Sequence, residues 1–414
     1  MKKIIVSIIL IGWLLTTSIL SVNAYDVPQD QGQDELSGYA IPMADIYVDD
    51  DAGPGGDGSY EHPFQYIQDG IDAANKDDAI FVFSGVYKEI PTNVGGEFPH
   101  TSWVCLLVNK SSLNIIGENK ETTIIHGLDN TRTEAIIRVT CGHITLTGFT
   151  IKGDNYYSGF GLEIRSNYNK IHNNIVKDNV KSGIILGGAC YNDIYENIIT
   201  GNGRWGGIYF TSENYNNKIY CNDIRGNLEH GLNNFGWGDN NVFYNNNFID
   251  NPRYNAHDND NNINIWMGNY WDDYMGEDND GDGIGDTSYL LEKRNHDGYA
   301  EDRHPRMNPV VGNPLVASAG NGYKVKPWRD LTLTGIAGGG TEVYTYEWDL
   351  DNDGDYDDGE GASVTYSWKR VGTYTIRLKV TDDIGDIFTD ETIVKVKIIT
   401  GETGYIERVN LLEK

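Results

Sequence analysis

Positive charge is scarce in this sequence. Its 414 residues hold 32 lysines and arginines against 61 aspartates and glutamates, a formal charge of −29. A surface so acidic repels nucleic acid phosphates and anionic lipid headgroups and attracts cations, which excludes a nucleic acid partner. Cysteine is scarce as well. Cys105, Cys141, Cys190 and Cys221 include no C-x-x-C pair, which argues against a zinc site. In an exported chain the four can pair, but spacing does not fix the connectivity. After the first twenty residues no apolar run is long enough to span a bilayer, so no integral membrane span remains once a leader is removed.

That first stretch is itself informative. Lys2 and Lys3 precede an apolar run from Ile4 to Leu20, and Val22-Asn23-Ala24 has the small-x-small form of a signal peptidase site. The expectation is a signal peptide over 1–24, a flexible segment over 25–45 and a secreted or cell-surface product. The competing reading is a retained anchor, since the run approaches membrane-spanning length.

From Ile144 to Asn251 the chain repeats. Rungs begin at Ile144, Asn169, Asn192, Asn217 and Asn241, a period of 23–25 residues that suits one coil of a β-solenoid. Two positions on lies the apolar column Leu146, Ile171, Ile194, Ile219, Phe243; seven on lies Ile151, Val176, Ile199, Ile224, Phe248. Both should face inward. Asn174, Asn197, Asn222, Asn246 and then Asp154, Asn179, Asn202, Asn227, Asn251 read as corner ladders, because Asn tolerates left-handed backbone and stacked amides can bond between coils. A further strand opens after Gly161, Gly183, Gly207 and Gly231, with Leu162, Ile184, Ile208 and Leu232 inward and Glu163, Ile185, Tyr209 and Asn233 outward. Residues this rich in Asn, Gly and β-branched types argue against an α-solenoid, and the period is too short for propeller blades.

The fold class predicted is all-β: a right-handed parallel β-helix over 46–309, then a β-sandwich over 313–398 and a tail over 399–414. Phe64, Ile67, Ile71 and Ala74 share helical spacing, so a short helix should cap the open end of the solenoid. Alternation at Tyr374, Ile376, Leu378 and Val380 predicts a half-buried strand of the sandwich, and Gly312-Asn-Pro314 marks the linker.

Tyr47-Val-Asp-Asp-Asp51, His62-Pro-Phe-Gln-Tyr-Ile-Gln-Asp-Gly-Ile71, the Asn-rich coils and Gly268-Asn-Tyr-Trp-Asp-Asp-Tyr274 resemble the pectin-lyase-like, NosD-type β-helix family. Tyr346-Glu-Trp-Asp-Leu350, Tyr366-Ser-Trp368 and Gly372-Thr-Tyr-Thr-Ile-Arg-Leu-Lys-Val-Thr-Asp-Asp383 resemble a polycystic-kidney-disease-type (PKD) domain. The first resemblance implies a carbohydrate-binding or sugar-hydrolysing module, or copper delivery in one branch. The second implies an extracellular spacer or a contact for other surface proteins. Nine scattered His and five Met offer no clustered copper donors.

Two acidic loops invite Ca²⁺. Asp278, Asp280, Asp282 and Asp286, with the Ile284 carbonyl, have oxygen-ligand spacing, although Tyr289 replaces the usual bidentate Glu and Glu277 or Asp302 would have to complete the shell. Asp349, Asp351, Asp353, Asp355 and Glu360 follow the twelve-residue pattern more fully, with a solvated acidic loop as the alternative. His172, Tyr195, Tyr220 and Tyr244 share one outward column, either a glycan-stacking stripe or ordinary cross-strand packing. Glu163, Arg165 and Glu196 are the catalytic candidates, though no paired carboxylates recur in register. The leading expectation is a non-enzymatic glycan-binding scaffold stiffened by calcium; a polysaccharide lyase or glycoside hydrolase acting along the groove is the rival, and NosD-like copper delivery the third reading.

Overall fold

The structure, a computed structural model, describes residues 44–95, 103–127, 133–153, 158–236, 238–259, 264–291 and 300–398. The expected leader 1–24, the segment through 43, Asp154 and the tail from 399 lie outside the described residues. Met43–Lys414 forms one compact unit.

Each coil of the solenoid gives one short strand to each of three parallel sheets. In the first sheet Ile46, Ile80, Ile115, Leu146, Ile171, Ile194, Ile219, Phe243 and Trp266 follow one another in register. The second sheet aligns Tyr87, Ile125, Ile151, Val176, Ile199, Ile224, Phe248 and Trp271. The third aligns Leu106, Ile137, Leu162, Ile184, Ile208, Leu232 and Ala256. These columns merge into a single apolar core, each coil covering the apolar face of the next. The five recognised rungs are therefore the middle of a longer stack, whose upstream coils lack the asparagine repeat.

The ladder asparagines do their work at the three corners, though not by bending the chain. The left-handed residue is the one before each ladder asparagine: Asn173, Glu196, Cys221 and Asn245 at one corner, Tyr168, Tyr191, Asn216 and Asn240 at another. The ladder residue then turns inward. Asn197, for example, accepts the backbone N–H (3.0 Å) and side-chain amide (3.1 Å) of Asn174, and donates its own to Asn222 at 3.1 and 3.0 Å. Each such bond contributes about 1 kcal/mol net, and leaving a buried amide unpaired would cost more. Three ladders run this way, and the last amide of each finds a carboxylate: Asn264 at Asp258, Asn269 at Asp302, and Asn251 through Asn255 at Asp272 and Asp273. Gly183 and Gly207 sit against this network, where an added Cβ would lie 2.7 Å from the next coil's carbonyl.

The helix Ile67–Ala73 closes the first coil with Ile67 and Ile71 fully buried. Its N-terminal N–H groups are capped by Glu89, which accepts from Ile67 at 2.7 Å and Gln68 at 3.3 Å.

Downstream, a five-stranded sheet with two strand pairs forms the sandwich from Val316 to Val396. Its long strands alternate buried and exposed side chains, Val380 opposing Phe388 and Tyr374 opposing Val394, with Ile376 and Leu378 buried between. The sandwich is no free spacer, because its core continues into the outer face of the first sheet: Leu315, Val316 and Ala317 pack with Val242, Tyr244, Ile265 and Met267. The linker is pinned too, Asn245 donating to Asn313 Oδ1 (2.9 Å) and Pro314 O (2.7 Å).

Candidate functional site: two outer faces of the solenoid

On the first sheet the column His172, Tyr195, Tyr220, Tyr244 points away from the core, and its rings stack. Successive centroids lie 4.6, 4.8 and 4.8 Å apart with planes within 6° of parallel. Rings one strand apart on a parallel sheet cover one another's faces. Only edges remain for solvent, whereas a sugar ring stacks on a face. The lower end is also covered: Tyr244 is 6% exposed, and Gly338 of the sandwich lies so close that a Cβ there would meet its ring at 2.8 Å. Burial pushes the Tyr195 hydroxyl up to about 12 and those of Tyr220 and Tyr244 higher still. The face that sequence offered for glycans is, along Tyr220 and Tyr244, the seat of the sandwich.

That seat is secured by charge. Arg303 donates to Asp390 at 2.5 Å, to Ser318 Oγ at 3.2 Å and to Glu391 O at 2.8 Å, and Ala319 N–H reaches Asp390 at 2.6 Å. Burial pushes Asp390 up to about 6 against the pull of Arg303, and burial with Arg303 and Arg306 alongside holds His304 near 3, hence neutral.

The third sheet differs. Its outward register column runs Leu107, Arg138, Glu163, Ile185, Tyr209, Asn233, His257. Beside it Phe160, Trp205, Tyr209 and Phe235 form a row of neighbouring rings 5.5, 5.3 and 6.4 Å apart, tilted 35–38° to one another. Trp205 and Tyr209 are half-buried and Phe235 is 40% exposed, while Phe160 at the head of the row is covered. Lys181 Nζ lies 4.8 Å from the Phe160 centroid and 5.5 Å from that of Trp205.

The catalytic candidates do not converge. Glu163 is almost wholly buried and both its oxygens are taken, Oε2 by Arg138 Nε and Oε1 by Arg165 Nε, each at 2.6 Å. Arg138 also reaches Glu134 at 2.9 Å. A carboxylate held by two guanidiniums is a poor general base. Glu196 stands exposed at the corner between the first and second sheets, away from Glu163.

In the first acidic loop Asp278, Asp280 and Asp282 bring carboxylate oxygens within 4.8 Å of one another. Asp286 turns to Asn279 instead, whose backbone and side-chain N–H groups hold its carboxyl below the usual range. The Ile284 backbone bridges to Arg306, and Asp302 lies buried at the end of an asparagine ladder rather than in the loop. In the second loop the grouping is Asp349, Asp351 and Asp358. Glu360 is displaced from it, because strand pairing sets it opposite Glu347. Asp353 Oδ1 accepts from the Asp355 N–H, and Asp349 is already paired with Arg377 at 3.3 Å. Asp358 carries the N–H groups of Leu350 and Asp351. A third group, Asp49, Asp50 and Asp51, adjoins the capping helix. Sequence spacing missed Asp358 and the third-sheet rings; the signal for the latter is an aromatic just before the glycine column, Phe160 before Gly161 and Trp205 before Gly206-Gly207.

These features define an elongated parallel β-helix protein with a docked β-sandwich. Residues 69–276, half of the chain, match the family described as periplasmic copper-binding protein (NosD), and 315–394 match the PKD domain. The chain belongs to the NosD family. No curated protein matches it. Similar solved structures include pectate lyase Pel9A, at 13% identity and TM-score 0.41 over 54% of this chain and 62% of that one, so the chain spans less than two thirds of that enzyme's length. Others are a rhamnogalacturonan lyase (15% identity, TM-score 0.37, 56% of this chain and 71% of that one) and the PKD domain of human KIAA0319 (23% identity, TM-score 0.19, 24% and 96%). Among the described residues no helix is long and apolar enough to cross a membrane.

The family description makes copper the ion to test. The three groups able to hold a metal among the described residues contain aspartate alone, without His or Cys. His230 stands next to His257 on the adjoining coil, and burial, with Arg253 and His257 nearby, holds it near 4. Hard carboxylates suit calcium or magnesium, and two imidazoles beside an arginine make an incomplete copper shell. The residues described do not fit a copper centre.

Proposed function

We propose that the protein is an exported glycan-binding scaffold whose contact face is the outer side of the third sheet, not the first. The observation that carries this reading is the part-exposed row Trp205, Tyr209, Phe235, whose rings are tilted rather than stacked, backed by the buried Phe160 with Lys181 beside it. Open ring faces meet the apolar faces of sugars, and adjacent polar groups such as Asn233 and Arg165 can fix orientation. The clamped Glu163 favours binding over bond cleavage. Calcium is proposed as a structural ion at Asp278, Asp280 and Asp282 and at Asp349, Asp351 and Asp358.

The test is a polysaccharide panel probed with and without Ca²⁺, with analysis of products. Trp205→Ala should weaken any binding about two- to tenfold, at about 0.5–1.5 kcal/mol for a ring contact, while Tyr195→Ala leaves it unchanged. The opposite ranking returns the site to the first sheet. Shortened or unsaturated products would make the protein an enzyme.

A further inference from the structure

At one end of the sandwich three chain segments meet. Lys397 donates its backbone N–H to Val325 O at 3.0 Å, Trp328 to Trp368 O at 2.9 Å, and the Tyr374 hydroxyl reaches Arg370 O at 3.0 Å. These contacts gather Lys324, Lys326 and Arg329 with Lys369 and Arg370 and with Lys395 and Lys397. In these segments, 324–330, 369–371 and 395–398, Asp330 is the single acid. None of the seven cations forms an ion pair among the described residues. In a chain of net charge −29 such a pole is anomalous.

Apolar side chains project from the same place. Trp328 is 68% exposed, Val371 59% and Ile398 75%. Trp328 stands in the left-handed region, φ +62°, which a residue of its bulk rarely occupies, with Lys369 Nζ 5.7 Å from its ring centroid. Strain spent on holding an indole in solvent does nothing for the core.

We propose that this pole docks the protein on an anionic lipid bilayer, with Trp328, Val371 and Ile398 entering the headgroup region and the seven cations facing lipid phosphates. Tryptophan and basic side chains favour that interface, the ring and the aliphatic stems meeting the acyl boundary while the charges stay outside. Val371 and Ile398 offer a polysaccharide neither a ring face nor a hydrogen bond, which favours lipid over glycan. The acidic body does not forbid the contact, because at physiological salt charge beyond about 8 Å is largely screened. The acid that opposes it from within is Asp330; Asp351 and Asp358, proposed above to hold calcium, act on Tyr366, itself packed edge-on at 4.8 Å against Trp368.

The experiment is sedimentation of the Met43–Lys414 unit, free of the apolar leader, with phosphatidylcholine vesicles with and without phosphatidylglycerol. Binding should require the anionic lipid and fall with added salt. Lys326→Gln with Lys369→Gln should weaken it about thirtyfold, at about fivefold per cation. Trp328→Gly should weaken it about tenfold through the lost ring, yet leave the melting temperature equal or higher because the backbone strain is relieved. Asp330→Asn should strengthen it. Absence of sedimentation with anionic vesicles, or indifference to both the lysine pair and Trp328, overturns the proposal. So does binding of these residues to an anionic polysaccharide in place of vesicles. Neither result bears on the third-sheet face, whose ring row is separately mutable.

Discussion

The first and third sheets of the solenoid both carry aromatic rings on their outer sides, and the rings behave differently. On the first sheet one ring follows another in register, face over face, and the sandwich closes over Tyr220 and Tyr244. On the third the rings come from positions that are not register partners, so they tilt, and Trp205, Tyr209 and Phe235 stay part-exposed while Phe160 is covered. Both faces are aromatic; attitude decides which can receive a ligand. A column at strict coil spacing satisfies itself, and a displaced set of rings stays available.

The comparison breaks most readily at the charged seat of the sandwich. Arg303→Ala strands Asp390 as a buried charge and should cost about 3–5 kcal/mol. Denaturant unfolding would measure the loss, and limited proteolysis should then release the sandwich while the solenoid persists. If the two parts still unfold together at the original midpoint, the first sheet is not a true interface.

Tyr244→Ala follows, at about 3 kcal/mol for a buried ring. Its counterpart Trp205→Ala should cost under about 0.5 kcal/mol in the same assay, as a partly exposed residue. Equal costs would erase the distinction between the faces.

Acid sharpens it further. The folded pKa of Asp390, about 6, lies above the ordinary 3.8, so the native state holds that proton more tightly. The stabilising contribution is whole below the lower value and is lost as pH rises through 6, about 3 kcal/mol at most. Stability measured across that window should decline in the parent chain and flatten in Asp390→Asn; an unchanged slope would mean that Asp390 does not titrate there.

Much of this was legible from the repeat. Inward columns and sandwich strand follow from periods of two and of 23–25, since burying an apolar column leaves one register, and the capping helix follows from helical spacing at Ile67 and Ile71. What escaped was set by contacts the repeat does not encode. The outwardness of Tyr244 is a property of its strand, but its burial belongs to Val316 and Gly338, some seventy to ninety residues on. Spacing put Glu360 in a calcium loop, but pairing with Glu347 carried it off and left Asp358 in its place. Of the two reasons for the ladder asparagines one held: the preceding residue takes the bend, and the amide is kept for the bond it relays to the next coil.

That relay has a direction. Inside a ladder an asparagine such as Asn197 takes a hydrogen from the coil before and hands one to the coil after, so any such coil can follow any other. Asp302 only accepts, from Gly268, Asn269 and Trp271 together, and no further coil can be passed a donor through it. The reach of the rod is thus written in a choice between an amide and a carboxylate: duplicating a coil upstream of the aspartates lengthens it, and one nitrogen exchanged for oxygen tells it where to stop.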